Sequence, residues 1–195
     1  FKIGNVSIPS AIGIGGGSLI ALLAGYILIR PSVKENIEDT DRLLMLTGAS
    51  ALLPQLLAAL GAVFTKAGVG DVIAKGVSSV VPSGNILAGV ILYTVGMALF
   101  TMIMGNAFAA FSVITVGIGV PFVIAHGGNP VVIGALGMTS GYCGTLMTPM
   151  AANFNIVPAS ILEMKNKYGV IKTQIPVALV LLITHIVLML LLGFN

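Results

Sequence analysis

Two short runs carry polar groups where almost everything around them is apolar. The first is Gly105-Asn106-Ala107, set between two arms of 19 apolar-rich residues, 86–104 and 107–125. The second is GYCGTLMTPMAANFNIVP, residues 141–158, which holds Thr145, Thr148, Pro149, Asn153 and Asn155. Neither run contains a formal charge. Proline interrupts an α-helix because it lacks the backbone N–H and its ring clashes with the preceding turn. In hydrocarbon, backbone freed in this way survives only where protein buries it or a wet cavity takes it. Half-helix N-termini then offer N–H groups and positive dipole ends to an anion, whereas freed carbonyls with Asn and Thr oxygens suit Na⁺. The chemistry is recognition of a small solute or ion. Gly105, Asn106, Ala107, Thr145, Thr148, Pro149, Asn153 and Asn155 are its expected ligands. The structural alternative is that both breaks are kinks that help helices pack.

Catalysis is not expected. His185 lies in the middle of an apolar run with no Asp or Glu in any such run to partner it. Ser50 with His185 would make an incomplete nucleophile set. The single cysteine, Cys143, excludes an internal disulfide or thiolate metal site. No metal or organic cofactor is expected; a coupling ion would be Na⁺ or H⁺.

The elements that must position these runs are apolar helices. Hydrophobic residues make up 57% of the 195 positions and charged residues 8%, against about a quarter charged in a soluble domain. Residues 76–162 contain no Asp, Glu, Lys or Arg. The fold class implied is an all-α integral membrane protein. Residues 11–29 would rise about 28 Å as a helix and cross a hydrocarbon core. The charged segment 32–42 must be an aqueous loop or a short surface helix. Residues 43–64 form a second expected span, which Pro54 should kink or break. The two spans make a scaffold over 1–64.

Residues 65–81 place Lys66, Asp71 and Lys75 among Val69, Val72, Ile73, Val77 and Val80 at helical spacing, which predicts an amphipathic arm in the interface. Pro82-Ser83-Gly84-Asn85 then signals a turn. Gly105-Asn106 is too short to carry the chain through a headgroup layer and back, so 86–125 reads as a re-entrant helical hairpin. Each arm is long enough to span, and two full crossings are the alternative. After the turn at 126–130, residues 131–162 are expected to form a discontinuous helix, one half ending near Gly144 and the other starting after Asn153 or Asn155. A loop at 163–172 precedes a final span, 175–192, with Pro176 in its first turn.

The net charge of +3 comes from scattered basic residues with no stripe or patch, which excludes nucleic acid as a partner. Lipid and a small-molecule substrate are the expected partners. Arg30, Lys34 and Arg42, with Lys165, Lys167 and Lys172, fall on one side of the expected topology, so the positive-inside rule makes loops 30–42 and 163–172 cytoplasmic. The chain opens at Phe1 without an initiator Met and reads as a segment or processed form.

LFTMIMGNAFAAFSVITVGIGVP (99–121), followed by the run 141–158, resembles the C-terminal repeat of the ion transporter superfamily, which includes divalent-anion sodium symporters. In those carriers a hairpin tip with Ser-Asn-Thr and a broken helix with Thr-Pro-Pro-Asn form half of the site. Here Gly105-Asn106-Ala107 stands at the first position and Thr148-Pro149 with Asn153 at the second. The flanking Ser and Thr are replaced, and three residues separate Pro149 from Asn153. A closer likeness, over 41–195, is to a bacterial membrane family of this superfamily, on PQLLAALGAVFTKAGVGDVIA, MGNAFAAF and GTLMTPMAANFNIVPA.

The resemblance implies one ion-transporter-type repeat in a bacterial inner membrane. It implies a secondary-active carrier that moves a 5-oxoproline or carboxylate-like solute by an elevator-type mechanism, because that family is found beside a second small membrane protein and a pyroglutamyl peptidase. Such carriers need two inverted repeats, so a second repeat or membrane subunit, or an oligomer, would complete the site. The alternative function is a channel or a non-transporting membrane assembly subunit.

Overall fold

The computed structural model describes residues 2–3, 6–7, 10–48, 52–79 and 84–194. Residues 1–45 and 46–195 form two compact units. Apart from a two-residue antiparallel ladder, β1 (Lys2–Ile3) with β2 (Val6–Ser7), the regular elements among the described residues are helices. Four helical stretches are long and apolar enough to cross a membrane: Ile12–Ile29, Ile86–Met104, Ala107–His126 and Gly169–Leu192. Such helices are compatible with a membrane-embedded protein.

The first unit contains α1 (Ser10–Ile29), whose leucines and isoleucines lie exposed along its length. It also contains most of α2 (Val33–Thr47), so the charged segment takes the helical form of its two expected ones. A reciprocal cap starts α2: Ser32 donates its N–H to Glu35 Oε2 at 2.9 Å and Glu35 donates its N–H to Ser32 Oγ at 3.2 Å. The Ser32 backbone N–H, and after it the Ser32 hydroxyl, hold the Glu35 carboxyl below its ordinary pKa.

The expected span over 43–64 is not one helix. The last turn of α2 ends at Thr47 and α3 (Leu53–Lys66) begins anew with Pro54 in its first turn, where a missing N–H removes no helical bond. Residues 49–51, Ser50 among them, lie outside the described residues. The arm is shorter than expected: 65–66 finish α3, Gly68 turns the chain in the left-handed region at φ 70°, and α4 covers Val69–Ser78. Val80 and Pro82-Ser83 lie outside the described residues.

The hairpin consists of α5 (Ile86–Met104), capped by the Asn85 side chain, and α6 (Ala107–Ile114). The second arm then widens into a π-helical segment, Thr115–Val123, and ends in a 3₁₀ turn, Ile124–His126. Ile124 donates its N–H five residues back, to Gly119 O. Pro121 lies inside this segment, where a proline breaks α-helical bonding.

The broken helix consists of α7 (Pro130–Leu146) and α8 (Ala152–Ile161). The second half therefore starts before Asn153, two to four residues earlier than the asparagines alone indicate. The last helix, α9, runs Gly169–Leu192 and takes in the end of the expected loop, which leaves Pro176 two turns inside the helix instead of in its first turn.

The core sits where the hairpin meets α7 and α9: Val90, Tyr93, Met97, Ala110, Ile114, Ile118, Val123, Ile133 and Met189. A row of small residues on α7, Gly137, Ser140, Gly141 and Gly144, is buried. A Cβ at Gly144 would run into the Ala98 carbonyl of α5, and one at Gly141 would crowd Met97 and Ala107. Small residues let apolar helices approach until their backbones nearly touch, which is how such helices gain packing without water to drive them together. Asn129 N–H donates to Gly193 O at 2.7 Å and ties the start of α7 to the end of α9.

Candidate functional site

The hairpin tip is built by two residues with different tasks. Gly105 closes α5 in the left-handed region, φ 64°, where a side chain would be strained, and donates its N–H to Thr101 O at 2.7 Å. Asn106 is extended and caps α6: its Oδ1 accepts from Phe108 N at 2.9 Å and Ala109 N at 3.4 Å. That leaves its Nδ2 as the group the tip can offer to a guest.

The second break spans Met147 to Ala151. Thr148 Oγ1 donates to Met102 O of α5 at 2.8 Å and accepts from Met150 N at 3.2 Å. Asn155 reaches back from α8 and donates through Nδ2 to both Thr145 O and Thr148 O, at 2.7 Å each. These carbonyls would otherwise be orphans of the end of α7. Asn155 is fully buried, and its Oδ1 has no partner.

The hairpin tip and the ends of α7 and α8 that flank the second break share a cavity of about 210 Å³ lined by Gly105, Asn106, Ala107, Phe108, Tyr142, Thr145, Asn153 and Phe154. At about 30 Å³ per water this is the room of roughly seven waters, enough for a small organic solute. Gly105, Ala107 and Thr145 are buried at its floor, while Phe108, Tyr142, Asn153 and Phe154 stand exposed at its rim. Thr145 Oγ1 donates to Tyr142 O at 2.7 Å, so it turns lone pairs toward a guest.

No charged side chain lines this cavity. Its polarity comes from the side-chain amides of Asn106 and Asn153 and the Thr145 hydroxyl. The N–H groups of Phe108 and Ala109 at the start of α6 are already taken by Asn106 Oδ1, whereas the cap residue of α8, Ala151, supplies no side-chain acceptor, and the start of that helix carries partial positive charge. These groups suit a carboxylate or another small anion. Phe108 and Tyr142 meet edge to face, centroids 6.1 Å apart at 89°, and with Phe154 give an apolar wall for the remainder of the guest.

Of the eight expected ligands, Gly105, Asn106, Ala107, Thr145 and Asn153 are brought together around the cavity. Thr148, Pro149 and Asn155 are not in its lining. Thr148 and Asn155 instead hold the break in shape, because the bonds above occupy their donors. The aromatic rim was not anticipated. A signal was present: Phe108 follows the tip by two residues, Tyr142 precedes Thr145 by one helical turn, and Phe154 adjoins Asn153.

His185 Nδ1 pairs with Leu181 O within its own helix at 2.6 Å. Among the described residues no three His, Cys, Asp or Glu gather into a set that could hold a metal ion.

The model of the family described as "protein of unknown function (DUF979)" matches residues 2–194, and the chain belongs to that family. No curated protein and no solved structure matches it.

Proposed function

We propose that this member of the DUF979 family is one repeat or subunit of a secondary-active transporter of the ion transporter superfamily type, carrying a small organic anion such as 5-oxoproline or a carboxylate. The observation that supports the reading is the shared cavity of the two helix breaks, with uncharged donors on its polar side and three aromatic rings on its rim. Donors without a formal charge release an anion more readily than a fixed lysine or arginine would. A carrier needs that property.

In this reading 86–125 is a re-entrant hairpin and 131–162 a discontinuous helix, and the two move through the bilayer as one body in an elevator-type cycle coupled to Na⁺ or H⁺. A second repeat or membrane subunit covers the rim. The protein lies in a bacterial inner membrane with loops 30–42 and 163–172 on the cytoplasmic side, following their basic residues.

The test is uptake of radiolabelled 5-oxoproline and of dicarboxylates by membrane vesicles carrying the protein. Asn106→Ser retains a capping oxygen and removes the amide donor, and Thr145→Val removes a floor oxygen. Saturable uptake by the native protein that falls in both variants is the expected result. Flux without saturation, or native rates in both variants, would exclude the cavity as a carrier site.

A further inference from the structure

The second hairpin arm changes its hydrogen-bonding register where it crosses the core. α6 bonds four residues back as far as Thr115, whose N–H donates to Phe111 O, and the nine residues Thr115–Val123 then take π-helical form. Such bonding is rare, occurs mostly as a single turn inside an α-helix, and is frequent at functional sites. Pro121 gives one reason for it here, because in an α-helix its ring would clash with the Gly117 carbonyl four residues earlier. At the far end the two registers coexist: the Ile124 N–H is shared between Gly119 O, five residues back, and Val120 O, four residues back.

The π-helical segment is firmly seated on its neighbours. A Cβ on Gly117 would stand 2.6 Å from the Gly70 carbonyl oxygen of α4, and one on Gly89 of α5 would stand 2.5 Å from the Phe122 carbonyl oxygen. A Cβ on Gly119 would stand 2.8 Å from the Tyr93 ring. Gly128 N–H donates to Val123 O at 3.1 Å and ties down the end of the segment. The junction with α6 is fastened to α5 by a side-chain bond: the Tyr93 hydroxyl, fully buried against Gly137, pairs with Thr115 Oγ1 at 2.9 Å. Beyond that junction lies the part of the arm that carries the tip, with Asn106 as its cap and Ala107 at the cavity floor.

We propose that the junction at Thr115 is a hinge, where the register shifts between π and α so that α6 tilts with the tip, and that the Tyr93–Thr115 bond is its latch. A shift of register passes each N–H from one carbonyl to its neighbour. No backbone group is left bare in hydrocarbon, where it would find no water. Pro121 limits the shift to the residues before it, and the seat on Gly70, Gly89 and Tyr93 supplies the fixed side that a hinge needs. The tilt would carry Ala107 away from Gly141, whose Cβ would lie 3.1 Å from the Ala107 methyl, and so open the cavity floor. The hinge does not depend on what occupies the cavity.

The test joins two measurements on the full chain in detergent: amide hydrogen exchange over 115–124, and maleimide labelling of Thr145→Cys in a Cys143→Ala background. Thr145 is 4% exposed, so labelling there reads opening of the floor. Exchange in the native segment is expected to be faster than in α5 and α7. Thr115→Val removes the latch and is expected to speed both exchange and labelling about threefold to tenfold, the equivalent of one hydrogen bond. Thr115→Ser keeps the hydroxyl and is expected to retain native rates. Tyr93→Phe should match Thr115→Val; if it does not fold, the two Thr115 variants carry the comparison. Exchange over 115–124 as slow as in α5, or native rates in Thr115→Val, overturns the proposal. Faster exchange without faster labelling would mean local fraying and overturns it as well.

Discussion

Asn155 holds Thr145 in place: its side-chain amide donates to the Thr145 carbonyl at 2.7 Å, while the Thr145 side chain lines the cavity. The same amide serves the Thr148 carbonyl. One residue outside the cavity thus fixes the end of α7 that the solute would meet. Asn155→Leu would leave two buried acceptors without a donor, at about 1–3 kcal/mol each. A lower melting temperature in detergent is expected, with Asn155→Asp no better because a carboxylate donates nothing. Native melting in both would show that the amide does not support the break.

Glycine is a packing requirement at Gly144 on α7 and only a matter of helix propensity at Gly76 on α4. Gly144→Ala would press a methyl into the Ala98 carbonyl and should destabilise by about 1–3 kcal/mol. Gly76→Ala, in α4 with nothing within 4 Å of the new Cβ, should stabilise by up to about 1 kcal/mol. Thermal unfolding of the two variants side by side reads the difference, and equal shifts would contradict the contact.

The edge-to-face pair at the rim should matter for binding and little for folding, since Phe108 is 64% exposed and Tyr142 37%. Phe108→Ala removes an aromatic interaction of about 0.5–1.5 kcal/mol. The expected outcome is solute affinity weakened about threefold to tenfold in a radioligand binding assay, at unchanged melting temperature. Unchanged affinity would remove the ring from the site.

The cap of α2 gives a pH dependence with a fixed sign. The hydrogen bonds from Ser32 lower the Glu35 pKa from 4.5, so the folded helix binds this proton less readily than the unfolded chain does. The contribution to helix stability is complete above pH 4.5 and is lost as the pH falls through the lowered value. Amide exchange at the start of α2 should accelerate in that acid range. Ser32→Ala should reduce the pH dependence without abolishing it, because it removes the hydroxyl but keeps the backbone N–H that shifts the carboxyl most, whereas Glu35→Gln should abolish it.

Much of this architecture was legible because its causes are local. The charge-free run 76–162 and the hairpin tip at Gly105-Asn106 announce themselves through composition and helix-breaking residues, and both arms appear with the expected bounds at the tip. The division of labour inside 141–158 was not legible. Thr148 and Asn155 look like ligands by type, yet each spends its donors on carbonyls: Thr148 on Met102, 46 residues away, and Asn155 on Thr145 and Thr148. Only a three-dimensional path reveals the first of these partners. The early start of α9 was hidden for a different reason: Lys172 placed the end of the expected loop at 172, and polar residues extend a helix beyond its apolar stretch without leaving a hydropathy signal. The π-helical segment has no pattern at α-helical spacing that would separate it from the arm before it.

The contact of Gly144 with Ala98 has a consequence for how a guest gets in. With backbone on backbone there is no rotamer to swing aside, so the seam between α5 and α7 is a closed wall. In the proposed carrier the doorway would then lie over the threshold formed by the exposed rings of Phe108, Tyr142 and Phe154, and whatever stands in front of them would govern passage.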